Sequence, residues 1–366
     1  MKSPSDYCVF ILTHGRPEKV ITFNTLRKSG YTGPIYLVVD NEDNCARDYI
    51  AKFGADNVVI FDKRETAKHF DEFDNFNDRR TIVYARNECF QIAKKLGYKY
   101  FIQLDDDYET FAYRMCSLDE IDKYGSWVCI GNRNQNGVTF NKMINATFTL
   151  FKVIDCKSFA FSQGGDWMQK FDGTLAFSRR KAMNTFFCAT DRQFDFLGRI
   201  NEDVNTYTWY QSQGNLFLTI PLIQIKQKQT QTNKGGMSDV YLNQGTYIKS
   251  FYTIMCSPSC VKIKIMGSSN RRMHHKVEWD YAVPMLIDDR HRKGPRKVLA
   301  KGPPTRPTKS MTALEISSLV KLPTKLESTA KASEKRDLKD KKEFNQDYWK
   351  DRGFCGTQKL TDSIDL

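Results

Sequence analysis

No apolar run in this chain approaches the length needed to cross a bilayer, which for a helix is about 20 residues. The stretch Met1 to Asp6 is polar, without the hydrophobic segment of a leader peptide. Membrane residence and secretion are therefore not expected. The ten cysteines are scattered; only Cys256 and Cys260 lie close together, and the paired spacing of a zinc site is missing. Reduced thiols in a cytosolic setting are the expectation. No internal repeat occurs, which excludes a solenoid or an array.

What is present is length, aromatic content and unevenly placed charge. A chain of 366 residues can bury a full core and form one large domain or two ordinary ones. The formal charge is +13, but from Arg290 to Glu343 sixteen Lys or Arg face only six Asp or Glu, so ten of those thirteen charges fall in one late segment. That segment is also rich in Pro, Ser and Thr, with Pro295, Pro303, Pro304 and Pro307 opposing regular structure. Residues 290–366 read as a basic, mostly disordered tail, and residues 1–289 as the folded domain.

The first hundred residues alternate in α/β fashion. Strands are expected at Tyr7 to Leu12, Ile35 to Val39 closed by Asp40, and Val58 to Phe61, with helices from Pro17 and around Cys45 to Phe53. A polar loop runs through Asp78. A longer helix follows, with apolar positions from Ile82 to Leu96. Alternation of this kind implies a mostly parallel sheet. Beyond residue 110 the pattern changes to a smaller, mixed acceptor-side half with short strands near Ala146 to Val153 and Gly173 to Phe177, a helix near Asn201 and a strand at Leu216 to Ile220.

The most informative stretch is Tyr100 to Asp107, where Tyr-Phe-Ile-Gln-Leu ends in Asp105, Asp106 and Asp107. A buried strand that delivers three carboxylates to its carboxyl end places them where open α/β sheets collect ligands. Carboxylates so close repel one another unless a cation joins them, and hard oxygen donors suit Mg2+ or Mn2+. A solvated acidic turn is the alternative.

Taken together, the loop Thr13-His14-Gly15-Arg16-Pro17, Asp40, the pair Arg86-Asn87, the acids Asp105 to Asp107 and the run Asn201-Glu202-Asp203 resemble the nucleotide-sugar glycosyltransferases of the GT-A fold, over roughly Tyr7 to Ile287. Within that fold the layout, with Asn233 to Met237 and His274-His275, looks most like the TET-associated glycosyltransferases of bacteriophages, relatives of the base J glucosyltransferase. The resemblance implies a UDP-sugar donor, a Mn2+ or Mg2+ cofactor and transfer to a hydroxymethylated pyrimidine in DNA. A phage protein of this kind would act in the host cytoplasm.

The resemblance also distributes roles. Asp105 and Asp107 are the expected metal ligands, completed by one of His274 and His275, which in an extended segment point to opposite faces. Thr13, Arg16, Asp40, Arg86, Asn87, Asp105 and Asp106 are expected to contact the donor, with Asp106 turned away from the metal. Arg16 suits a diphosphate through its planar fork. Asp40 suits a ribose or uracil edge. Gly164 and Gly165, before Asp166 and Trp167, allow close backbone approach to the sugar. Asp203 is the expected base, beside Glu202, in an inverting transfer. The same acids suit a plain first helical turn capped by Asn201.

Acceptor DNA must present an unstacked base. The basic tail and the aromatics Trp209, Tyr210, Tyr247 and Phe251 are candidates for phosphate grip and stacking, although core packing explains most such aromatics. Arg271 and Arg272 with the histidines form a further candidate phosphate contact. A GT-A enzyme with a protein, lipid or glycan acceptor, a noncatalytic nucleic-acid-binding module and a metal-dependent nuclease are the other readings. Sugar identity and oligomeric state are left open.

Overall fold

A computed structural model describes residues 6–113, 128–130, 138–163, 179–227, 247–266 and 272–283. All belong to the first of two units, Met1–Arg292. The expected segments Gly173 to Phe177, Asn233 to Met237 and residues 290–366 lie outside the described residues.

The fold is α/β. Its frame is a nine-stranded sheet, and the N-terminal part is built from β1 (Tyr7–Leu12), β2 (Ile35–Asp40), β3 (Val58–Phe61) and β4 (Tyr100–Asp105), paired in parallel. Every residue of β1 is buried, as befits a strand covered on both faces. Its side chains alternate between two cores. Tyr7, Val9 and Ile11 join one, with Leu26, Tyr49 and Phe148, while Cys8, Phe10 and Leu12 join the other, with Val83, Phe90 and Tyr207.

The helices α1 (Ile21–Lys28) and α2 (Ala46–Phe53) cover the first face. The short α3 (Lys63–Ala67) and the long α4 (Val83–Lys95) pack with the second. The remaining strands are β5 (Tyr108–Tyr113), β6 (Val128–Cys129), β7 (Ser158–Gln163), β8 (Phe186–Ala189) and β9 (Phe217–Gln227). Here pairing is mixed: β8 is antiparallel to β4 and β7, β7 is parallel to β9, and β9 is antiparallel to β5. A separate two-stranded ribbon joins β10 (Val261–Met266) to β11 (Arg272–Val277). The other helices are α5 (Phe140–Val153), α6 (Glu202–Ser212), α7 (Ile248–Cys256) and the single turn α8 (Trp279–Ala282).

Three local expectations are corrected. Ala146 to Val153, rich in Thr and Phe, is the second half of α5 and not a strand. Thr139 caps that helix by accepting from the Lys142 N–H, and its buried residues Ile144, Thr147, Phe148 and Phe151 recur at helical spacing. The polar stretch before Asp78 contains α3, nucleated by Asp62, whose carboxylate accepts from the N–H groups of Arg64 and Glu65. Pro17 starts only a 3-10 turn, and α1 begins four residues later, at Ile21.

Candidate active site

Strand order reverses between β1 and β4, since β2 and β3 lie on one side of β1 and β4 on the other. The crevice beyond strand ends at such a reversal is where open α/β sheets bind ligands. Leu12 stands opposite Asp105 in register, so the loop after β1 meets the acidic turn after β4.

That meeting is a closed ionic lock. Asp106 is fully buried and accepts from Arg16 Nε and Nη2 at 2.7 and 2.8 Å and from Thr13 Oγ1 at 2.7 Å. Tyr49 hydroxyl supports both partners, at 2.9 Å from Thr13 Oγ1 and 2.9 Å from the Arg16 N–H it accepts. A buried carboxylate requires such pairing. Of the expected donor contacts, Asp106 is thus enclosed, with the Thr13 hydroxyl and the Arg16 guanidinium turned onto it, while the Arg16 side chain keeps 30% exposure.

Asp40 is likewise occupied. It is buried and accepts from His14 Nδ1 at 2.7 Å and from the buried Lys63 Nζ at 3.1 Å. Burial alone would raise its pKa, but the His14 hydrogen bond and the Lys63 charge outweigh it and hold the carboxyl below its ordinary value. The His14 side chain keeps 43% exposure and is the open face of this group. Lys63 was not singled out in the sequence, because nothing in a polar stretch marks one lysine as buried.

The centre of the site is Arg86, which projects from α4 and is itself buried. Its Nη2 donates to Asp105 Oδ1 and its Nε to Glu202 Oε1, each at 2.9 Å, while its guanidinium lies over the rings of Phe186 and Phe196. One cation thus joins the acid ending β4 to the acid pair opening α6. Burial pushes the Asp105 carboxyl up to about 7, against Arg86 and with the repulsion of Asp107, Glu202 and Asp106. Asp203, also buried, is pushed up to about 6 by burial and by Glu202, with Arg86, the Val204 N–H and Lys181 pulling the other way. Asn87, expected at the donor, instead has both ends of its amide on the Phe196 backbone, at 3.0 and 2.7 Å, and so positions the loop beneath Arg86.

The acid pair is held from behind by a clamp the sequence did not disclose. Asn201 does not cap α6; it adopts the left-handed conformation, φ 62°, and its amide donates to Thr253 on α7. Just upstream, Gly198 and Arg199 donate backbone N–H bonds to Asp71 and Glu72 carbonyls, each at 2.8 Å. Arg199 is wholly buried, with Nε 2.8 Å from Asp74 Oδ2 and Nη2 3.0 Å from the Tyr252 hydroxyl, which itself donates to Asp74. Gly198 sits at φ +79°, where an added Cβ would collide with Asn205 and Phe73.

His274 and His275 are both buried on β11; regular pairing with β10 starts their side chains from alternate faces, yet the ring centroids lie only 4.2 Å apart. Isolated two-stranded ribbons twist more strongly than central strands. Burial and the neighbouring charges of His274, Lys181 and Lys249 drive the His275 pKa down to about 3, so its ring is neutral. Among the described residues no group of three or more His, Cys, Asp or Glu is placed to hold a metal, so neither histidine joins Asp105 and Asp107 here. Gly164 and Gly165, with Asp166, Trp167 and Arg271, lie outside the described residues. Of the four aromatics expected near an acceptor, Trp209, Tyr247 and Phe251 are exposed, whereas Tyr210 packs on Phe194 and Phe217. A cavity of about 570 Å3 between α1, α2 and β5, lined by Val20, Lys28, Lys52, Phe53 and Glu109, contains none of the expected site residues. No helix among the described residues is long and apolar enough to cross a membrane.

Comparison with known proteins yields no curated relative. Solved structures with a similar chain path include S. aureus TarS in complex with UDP-GlcNAc, at 13% identity and TM-score 0.39 over 68% of this chain and 66% of that one. This chain therefore spans just under two thirds of that TarS chain, which itself comprises residues 1–349. Others are glucosyl-3-phosphoglycerate synthase from Mycobacterium tuberculosis with Mn2+, UDP and phosphoglyceric acid (8%, TM-score 0.38, 74% and 86% of the two chains), and a mannosyltransferase from Pyrobaculum calidifontis with GDP-Man and Mn2+ (10%, 0.38, 70% and 74%). The model of one family, described as TET-Associated Glycosyltransferase, matches residues 7–236, well over half of the chain. That stretch contains β1, the acid-ended β4, Arg86 and the Glu202-Asp203 pair, and the chain belongs to the TET-associated glycosyltransferase family.

Proposed function

We propose that this protein moves a sugar, with inversion, from a UDP-sugar to the hydroxymethyl group of a modified pyrimidine in DNA. Family membership supports glycosyl transfer, and the observation that carries the chemistry is the Asp105-Arg86-Glu202 bridge with Asp203 beside it. In this reading Asp203 takes the proton of the acceptor hydroxyl while that oxygen bonds to the anomeric carbon and the bond to the diphosphate breaks, its electron pair leaving with the nucleotide. A base whose pKa lies near 6 is mostly ionised at neutral pH yet still basic enough to accept a proton. Arg86 fixes Glu202 and Asp105 in relation to one another, so the base and the donor side are set by one rigid cation.

A divalent ion suits the acids that end β4. Burial, with the smaller repulsion of Asp107, Glu202 and Asp106, disfavours the charged form of Asp105 despite Arg86, and a bound cation would favour it. Asp105 and Asp107 would hold Mn2+ or Mg2+, which binds through one or two carboxylates, waters and substrate phosphate without a full protein cage. When bound, it supplies charge to offset the departing diphosphate.

The test is incubation of purified protein and Mn2+ with a panel of UDP-sugars, offering hydroxymethylated and unmodified duplexes side by side, followed by nucleoside mass analysis. Added sugar mass on the hydroxymethylated sample alone is the expected result. Transfer to a protein or glycan acceptor with no DNA product would overturn the acceptor assignment.

A further inference from the structure

The ribbon β10–β11 is built unlike the nine-stranded sheet. Its root is fixed, because Val261 is buried with Cys260 and Ala282, and α7 packs against both strands. Its outer part is bare: Ile263, Ile265 and Met273 are 45%, 53% and 41% exposed, and Lys262, Lys264 and Lys276 are exposed as well. The register pairs Ile263 with His275 and Ile265 with Met273, and pairs Lys262 with Lys276. Strand alternation therefore places Lys262, Lys264 and Lys276 together on one face of the ribbon and the exposed aliphatic residues on the other.

Two lysines directly opposite each other on a sheet repel, and such pairs destabilise a ribbon. One carboxylate answers them: Glu278 lies 2.9 Å from Lys262 and 4.0 Å from Lys276. Over residues 247–283 six Lys or Arg face only Glu278 and Asp280. A folded element that concentrates positive charge at a cost to its own stability is matched to a polyanion.

The ribbon also stands on the wall that carries the acid pair. Thr253 of α7 bonds to both Asn201 and Asn205, at the start of α6. Lys181 lies within electrostatic reach of both Asp203 and His275. On the same helix α7, exposed Phe251 stands edge-on to exposed Tyr247, ring centroids 5.9 Å apart.

We infer that β10–β11 is a nucleic-acid grip, its lysine face taking the phosphates of the acceptor duplex and α7 setting that duplex relative to Asp203. A two-stranded ribbon fits a duplex groove, and lysines two residues apart on a strand, about 7 Å, match the scale of phosphate spacing along a backbone. The inference rests on the DNA-acceptor reading for its ligand but assigns the contact to this folded element in addition to the basic tail.

The experiment compares the full chain with its Lys262→Gln/Lys264→Gln/Lys276→Gln variant by fluorescence anisotropy on a labelled duplex across a salt series. A triple Lys→Arg variant serves as the conservative control. The tail is common to all three, so any difference belongs to the ribbon. The Gln variant is expected to bind at least about tenfold more weakly at moderate salt, with the slope of log K against log salt smaller by about 2 to 3, and the Arg variant to retain both. Donor hydrolysis without DNA is expected to be equal in all three, which also reports intact folding.

A Gln variant with the parent's affinity and slope overturns the ribbon assignment, whatever the transfer assay shows. Ribbon-dependent duplex binding without any transfer to hydroxymethylated DNA leaves the grip standing and sinks the acceptor reading instead. Loss of binding to anionic vesicles, or of self-association through Ile263 and Ile265, with duplex binding unaltered, also overturns the inference.

Discussion

Replacing Arg199 by Met removes the charge from the clamp behind the acid pair while keeping much of its volume. Arg199 has no solvent exposure, and its partner Asp74 keeps only 8% of its side chain in contact with water. Stranding a buried carboxylate costs about 3–5 kcal/mol. The Tyr252 hydroxyl still donates to Asp74, which keeps the loss toward the lower end. At roughly 2–4 °C per kcal/mol for a domain of this order of size, melting should fall by about 10 °C. The companion variant Asp74→Asn removes the stranded charge, so the double variant should recover at least about 2 kcal/mol relative to the sum of the single changes. Because Gly198 to Asn201 lead directly into Glu202 and Asp203, kcat should fall further than donor KM rises. Thermal unfolding followed by calorimetry, with steady-state kinetics on the survivors, reads all of this. Additive melting losses in the cycle, or an Arg199→Met protein as stable as its parent, would refute the view that the clamp is an obligate buried pair.

Other outcomes follow from the same contacts. Asp203→Asn should lower transfer by about a hundredfold to ten-thousandfold with donor binding retained; in the parent, kcat/KM should fall below an apparent pKa near 6, because the acting base is the ionised carboxylate. A profile flat through that region in the parent would remove Asp203 from the role. Gly198→Ala should cost about 3 kcal/mol, from the left-handed backbone and the collision with Asn205 and Phe73, measured by urea unfolding. The Asp78 carboxyl is held near 2 chiefly by its Arg80 hydrogen bond, against an ordinary value of 3.8. Its stabilisation is complete above 3.8 and is lost as pH falls through 2, so Asp78→Asn should cost about 1 kcal/mol at pH 7 and nothing well below pH 2.

The sequence disclosed the scaffold better than the site. Tyr7 to Leu12 and Tyr100 to Leu104 announce buried strands through uninterrupted apolar composition, and Asp105 announces where the strand meets solvent. Periodicity in α5 was masked because Thr and Phe favour strands locally, while helical spacing and the Thr139 cap prevail once the sheet offers a face to cover. Around the site, the residue types were found but several partners were not. Arg16, Asp40 and Asn87 stand out by residue type, but a linear reading cannot see that Asp106, Lys63 and Phe196 are their neighbours. Arg199 gave no signal at all: a single arginine between Gly198 and Ile200 reads as surface until Asp74 and Tyr252, distant in sequence, close over it.

The middle acid of the triplet gives this family member an unusual mutational signature. Asp106 is the rivet between the β1 loop and the β4 turn, while its neighbours on either side carry the proposed chemistry. An alanine scan scored by expression should therefore register the central position strongly, although the proposed chemistry runs through its neighbours. Engineers seeking an inactive but well-behaved protein should leave the rivet in place and begin from Asp203→Asn, which keeps the shape of the acid pair.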